Sequence, residues 1–147
     1  NKKYLKNAKA MAAHINEYTD LLNQVLPNID VAMEQTKKKT GIAAELQMRY
    51  LKALKKTGRT NVSKPDAYGS MVHELGHYLD DRLFTKAVKE SGFDMASSFS
   101  KYAENVSAYA TSNRQEYVAE SFTAYWFGET SELDPELVKI FERLKKK

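Results

Sequence analysis

Two histidines stand four residues apart in Met71-Val72-His73-Glu74-Leu75-Gly76-His77-Tyr78-Leu79-Asp80-Asp81, with a glutamate directly after the first. No other stretch constrains the chain as much as this His-Glu-x-x-His pattern. On a helix of about 3.6 residues per turn, positions four apart face the same way, so His73 and His77 can point both imidazoles at one ion. Glu74 then lies beside the ion and need not bind it. A carboxylate there can take a proton from a zinc-activated water as that water attacks a carbonyl, and later hand it to the leaving amine. The plain alternative is a helix bearing two ordinary surface histidines. Against it, the chain has three histidines in all and two of them are in this motif. The third, His14, has no partner motif and reads as a surface or half-buried residue.

The chain has no cysteine. That removes disulfides, thiolate metal sites and thiol nucleophiles together, so any metal must be held by His, Asp or Glu. A catalytic zinc site takes three protein ligands and keeps one position open, and with no suitable third histidine the third donor falls to an acid. The candidate stretch runs from Arg114 to Trp126, where Glu116 and Glu120 are four apart and share a helix face. Its Val118, Phe122, Tyr125 and Trp126 suit a helix packed into a core. Two blander readings stand beside this one. Asn113 and Glu116 can form a capping box, with the glutamate folded back on the helix start, or both acids can face solvent.

With 147 residues, 42% hydrophobic and 29% charged, the chain suits one folding domain and not a disordered tail. No apolar run nears the roughly 18 residues of a membrane span, so no membrane insertion is expected. A soluble protein is expected, with its location, cytoplasmic or secreted and bacterial or phage, left open. The first residue is Asn rather than Met, which leaves open that the chain is part of a larger polypeptide. Charge is uneven: Lys37, Lys38, Lys39, Arg49, Lys52, Lys55, Lys56, Arg59 and Lys64 face a single acid, Glu45, across residues 36–64. That stretch lacks interleaved stacking aromatics apart from Tyr50, so nucleic acid is the weaker reading of it. A solvated face, or one that steers an acidic partner, is the stronger.

Along the chain, residues 5–26 read as an amphipathic helix carried by Leu5, Ala8, Ala12, Ile15, Tyr18 or Leu22, and Val25 and stopped by Pro27. Ile29, Val31 and Met33 then alternate with polar or small residues, as do Ile42, Ala44, Leu46, Met48 and Tyr50. Two half-buried strands joined by a basic turn fit this alternation. The rival is a helix, because Ile42, Leu46, Tyr50 and Leu54 also fall four apart. Ser63 or Asp66 can cap the motif helix, which runs to about residue 84. Further helices are expected near 84–91, 95–106, 114–127 and 135–146, punctuated by Gly92, Asn113, Gly128 and Asp134-Pro135.

Tyr109, Asn113, Glu116 and Glu120, in Ser107-Ala108-Tyr109-Ala110-Thr111-Ser112-Asn113-Arg114-Gln115-Glu116-Tyr117-Val118-Ala119-Glu120-Ser121-Phe122, resemble the signature that follows the zinc helix in the anthrax lethal factor catalytic domain. The Pro-Pro endopeptidases and the metallopeptidase-like domains of some phage minor head proteins are similar. In that group a tyrosine precedes the ligand glutamate by seven residues and a second acid follows it by four, and this sequence meets each element. The resemblance spans residues 29–141.

This resemblance implies a zinc cofactor held by His73, His77 and Glu116, with Glu74 as general base and later acid. Tyr109 would aim its hydroxyl at the oxygen that develops negative charge. Glu120 would orient a ligand histidine through its outer ring nitrogen, with Asp80 or Asp81 in a similar role. A substrate peptide would lie along a sheet edge as an added strand, at residues 42–50, bordered by the basic segment. The expected fold is therefore α+β, mainly helical: a zincin-like single domain over residues 1–147. It would comprise an N-terminal helix (1–28), a small two- to four-stranded sheet with the basic segment (29–64), and a helical zinc-site portion (65–147). The expected function is that of a zinc-dependent metalloendopeptidase acting on a protein or peptide substrate. The alternative is a non-catalytic zinc-binding or interaction domain of a larger phage-head, mobile-element or toxin protein. Glu74 and Tyr109 argue against that, since a structural zinc site needs neither.

Overall fold

A computed structural model describes Lys6 and residues 28–62, 67–80 and 84–145, with backbone alone for 67–69. The expected helix at 5–26 (Lys6 apart), His14, the cap candidates Ser63 and Asp66, and Asp81 lie outside the described residues.

Between Ile42 and Thr57 no residue is β-branched, and Ala, Leu, Glu, Gln, Met, Arg and Lys dominate. These are the strongest helix formers. Accordingly, α1 (Ile29–Lys37) and α2 (Ile42–Thr57) occupy the two segments in which alternation predicts strands. Among the described residues every regular element is helical and there is no strand, which overturns the α+β expectation and its small sheet. The sheet edge expected to receive a peptide is absent with it. Burial follows the helical period. Ala44, Leu51, Ala53 and Leu54 are inside, while Ile42 is 77% and Leu46 44% exposed, although an alternating strand would bury both. In α1, Ile29 and Thr36 are buried and Val31 is exposed.

Gly58 ends α2 in the left-handed region at φ 70°, its N–H donating to the Leu54 carbonyl at 2.8 Å. A glycine adopts that conformation without the steric penalty of a Cβ. The chain then passes alongside residues 107–109: Ala108 N–H donates to the Arg59 carbonyl at 3.2 Å and Tyr109 N–H to the Thr60 carbonyl at 2.7 Å. The helices α3 (Ala67–Leu79), α4 (Thr85–Ser91), α5 (Met95–Val106), α6 (Arg114–Trp126) and α7 (Pro135–Lys145) follow, with a 3₁₀ turn at Tyr109–Thr111 between α5 and α6. Side-chain caps fix three starts. Asp94 accepts from Ser97 N–H, Asn113 from Glu116 N–H, and Asp134 from Glu136 N–H, satisfying backbone donors that a helix start leaves open.

The central element is α6, buried continuously from Tyr117 to Ala124. A helix covered on several sides needs no single apolar stripe. Val72, Phe84, Ala103, Val106, Leu137 and Phe141 surround it in the main core. A smaller cluster of Ile29, Ala53, Leu54 and Ala108 lies under α1 and α2. Packing is most extensive between α3 and α6, and Gly76 is what permits it. A Cβ at Gly76 would lie 2.9 Å from the Ala119 Cα, closer than real contacts allow.

Much of the basic stretch is taken up by internal partners. Arg49 donates to Glu104 at 3.3 Å and to the Phe99 and Ser100 carbonyls of α5. Lys55 pairs with Asp30 at 2.7 Å, Lys56 donates to Asn105, and Arg59 reaches Glu129 at 3.1 Å and the Val106 carbonyl at 3.0 Å. Arg49, Lys55 and Lys56 hold α2 to its neighbours, and Arg59 anchors the segment that follows it. Among the described residues no helix is long and apolar enough to cross a membrane.

Candidate metal centre

One turn of α3 separates His73 from His77, and both rings turn toward α6. The tight α3–α6 contact at Gly76 and Ala119 then brings in the first turn of α6, which carries Glu116. The Nε2 atoms of His73 and His77 lie 3.1 Å apart. Glu116 Oε2 is 2.9 Å from His73 Nε2, and its Oε1 is 3.1 Å from His77 Nε2. Donors about 2.0–2.1 Å from one tetrahedral zinc are themselves roughly 3.3 Å apart. The three side chains, whose ligand atoms lie within 4.8 Å of one another, therefore have the spacing and the chemistry of a nitrogen-and-oxygen zinc site.

His73 is fully buried, and its Nδ1–H donates to Glu120 Oε2 at 2.9 Å. That bond fixes the ring orientation and turns Nε2, here paired with Glu116, toward the position where a metal would take the place of its proton. Glu120 is fully buried too. Its Oε1 accepts from the Ser107 hydroxyl at 2.8 Å and from Val62 N–H at 3.0 Å. The two acids of α6 thus separate by environment: Glu116 faces the centre and Glu120 stands behind it. Asn113 does cap α6, as one blander reading has it, but the Glu116 carboxylate goes to the histidines and does not fold back.

Glu74, next to His73, is buried. Tyr109 is half-buried on the 3₁₀ turn with its ring 5.9 Å from that of His73. Burial first, then the charges of Glu116 and Glu120, a hydrogen bond to Glu116 and the charge of Glu74 push its phenol above the usual range. The phenol therefore keeps its proton. Asp80 follows α3 and is half-buried, its carbonyl accepting from Thr85 Oγ1 at 3.4 Å. The outer nitrogen of His73 goes to Glu120 and not to Asp80.

The three side chains of the cluster hold one another. Burial alone would lower the His73 pKa, but its hydrogen bonds to Glu116 and Glu120 and their charges outweigh that and raise it to about 10. For Glu116, burial pulls upward, and the hydrogen bonds and charges of His73 and His77 overcome it and bring it down to about 2.

Two contributors escape the spacing arguments. Gly76 has a signal in the sequence, since a glycine inside a helix costs about 1 kcal/mol relative to alanine and so points to a close approach. Ser107 has none, because a lone serine before a tyrosine is unremarkable. Comparison of the chain with known protein families, characterised proteins and solved structures finds no match.

Proposed function

We propose that the chain is a zinc-dependent metalloendopeptidase of the His-Glu-x-x-His plus glutamate type, with His73, His77 and Glu116 holding the ion. The carrying observation is the convergence of these three donors with the outer nitrogen of His73 already anchored on buried Glu120. When bound, zinc supplies Lewis acidity that polarises a carbonyl and makes water acidic. Glu74 is the group adjacent to His73 that takes the water proton and returns it to the leaving amine. Tyr109, kept protonated by its surroundings, donates to the carbonyl oxygen as its charge develops. The tyrosine, glutamate and second acid read from the sequence resemble the lethal-factor pattern and support this reading.

Zinc content of the wild type, Glu116→Ala and Glu74→Gln, measured with cleavage of a mixed peptide library, tests this reading. One zinc per chain, much weakened by Glu116→Ala and retained without cleavage by Glu74→Gln, is the expected result. A wild type that takes no added zinc overturns the proposal. Zinc bound without cleavage of any peptide replaces it with the zinc-binding interaction domain.

A further inference from the structure

The hydroxyl of Ser107 stands where two parts of the site meet. Ser107 is fully buried and extended at the end of α5, and from it the chain enters the turn that carries Tyr109. Its oxygen accepts from Ala110 N–H at 3.1 Å, and its O–H donates to Glu120 Oε1 at 2.8 Å. The other oxygen of Glu120 accepts from His73 Nδ1–H. An unbroken series of hydrogen bonds thus joins the backbone beside Tyr109 to the outer face of His73. The turn is held on its other side by Tyr109 N–H on the Thr60 carbonyl, and Val62 N–H completes the coordination of Glu120.

We infer that Ser107 is a positioning residue for this centre: its hydroxyl, shared between Ala110 and Glu120, sets His73 and Tyr109 relative to each other. The inference rests on the metalloendopeptidase reading of the same site. Without the hydroxyl, Ala110 N–H loses its acceptor and Glu120 Oε1 keeps only the Val62 donor, while Ser107, Ala110 and Glu120 are all fully buried. A buried donor left unmade is costly enough to move the turn. The carboxylate then holds the imidazole less firmly, and outer partners of ligand histidines typically matter by about 10–100-fold in metal affinity. A serine that merely satisfied its own backbone would alter stability and leave the histidine untouched.

The test compares Ser107→Ala, Ser107→Thr and Ser107→Val with the wild type in the full chain. Threonine and valine share a shape and differ in the hydroxyl, so that pair remains decisive even where alanine does not fold. The readouts are zinc affinity by chelator competition and the His73 Nδ1–H proton signal in the zinc-loaded, nitrogen-15-labelled protein. Cleavage is also measured in wild-type and Tyr109→Phe backgrounds. Threonine is expected to retain zinc affinity within a few-fold, while valine and alanine lose roughly 10–100-fold and their Nδ1–H signal exchanges faster. Cleavage losses from Ser107→Val and Tyr109→Phe should fall short of additive, as for residues acting as a unit. If wild type takes zinc and threonine and valine variants bind it equally with the same Nδ1–H signal, the inference fails alone. A wild type that takes no zinc defeats the underlying reading as well.

Discussion

His73 carries two carboxylates, one on each ring nitrogen, and that fixes how the metal-free protein responds to pH. Its folded pKa, near 10, lies above the ordinary value of about 6.5. The stabilisation is therefore complete below about 6.5 and is lost as pH rises toward the folded value. Glu116 runs the other way. Lowered to about 2, it contributes fully above its ordinary value of about 4.3 and loses that contribution as pH falls. Metal-free protein should thus be most stable between about pH 4.5 and 6.5, as denaturant midpoints across pH will show. Zinc binding near pH 7 should expel about one proton from His73, read by calorimetry in buffers of different ionisation enthalpy. A binding enthalpy independent of buffer would contradict the protonated, doubly paired His73. At this scale the sequence is informative where chemistry repeats at fixed spacing, as in His73, Glu74 and His77. Spacing alone does not separate Glu116 from Glu120, because both share a helix face; the family resemblance assigns them different roles, and the tertiary neighbours, two imidazoles for one and Ser107 with Val62 for the other, distinguish them.

Among the helices, the α3–α6 contact decides whether ligands meet. Gly76→Ala places a methyl 2.9 Å from a backbone atom of Ala119, and a backbone atom cannot swing aside. The expected cost is about 1–3 kcal/mol in unfolding free energy, the usual range for overpacking, with weakened zinc binding because His73 and Glu116 are on opposite sides of that contact. A Gly76→Ala protein with unchanged denaturant midpoint and zinc affinity would contradict the geometry. The second expected outcome concerns α2. Leu46→Ser, on an exposed face, should change stability within about 0.5 kcal/mol, while Leu51→Ala, at 7% exposure, should cost about 2–5 kcal/mol. Equal costs would revive the strand register. Alternation misleads here because apolar residues at 42, 44, 46, 48 and 50 satisfy period two and partly satisfy a helix; the unbroken run of helix formers decides, and Ile42 and Leu46 end outside. The helices from α3 onward are legible because cap residues and glycines punctuate them.

For the molecule as a whole, the centre ties three regions together: α3, α6 and the paired segments around residues 59–62 and 107–110. Zinc should therefore stabilise the entire domain by mass action, by about 4 kcal/mol at a thousandfold excess over its dissociation constant. Thermal unfolding with zinc and with a chelator should show one transition that moves as a unit. A shift confined to a minor early transition would indicate that the centre is loosely coupled to the core. Of the bonds that create this coupling, the side-chain pair of His73 and Glu120, 47 residues apart, is implied only by the family resemblance, and the bond from Val62 N–H to Glu120, 58 residues apart, has no sequence signal at all. Those separations also order events as the chain is synthesised. His73 and His77 are made well before Glu116, which follows His73 by 43 residues, so a growing polypeptide holds only an incomplete pair of imidazoles until α6 has emerged. On the proposed zinc reading, tight metal capture is consequently a late step in biogenesis, reserved for chains that have completed their central helix.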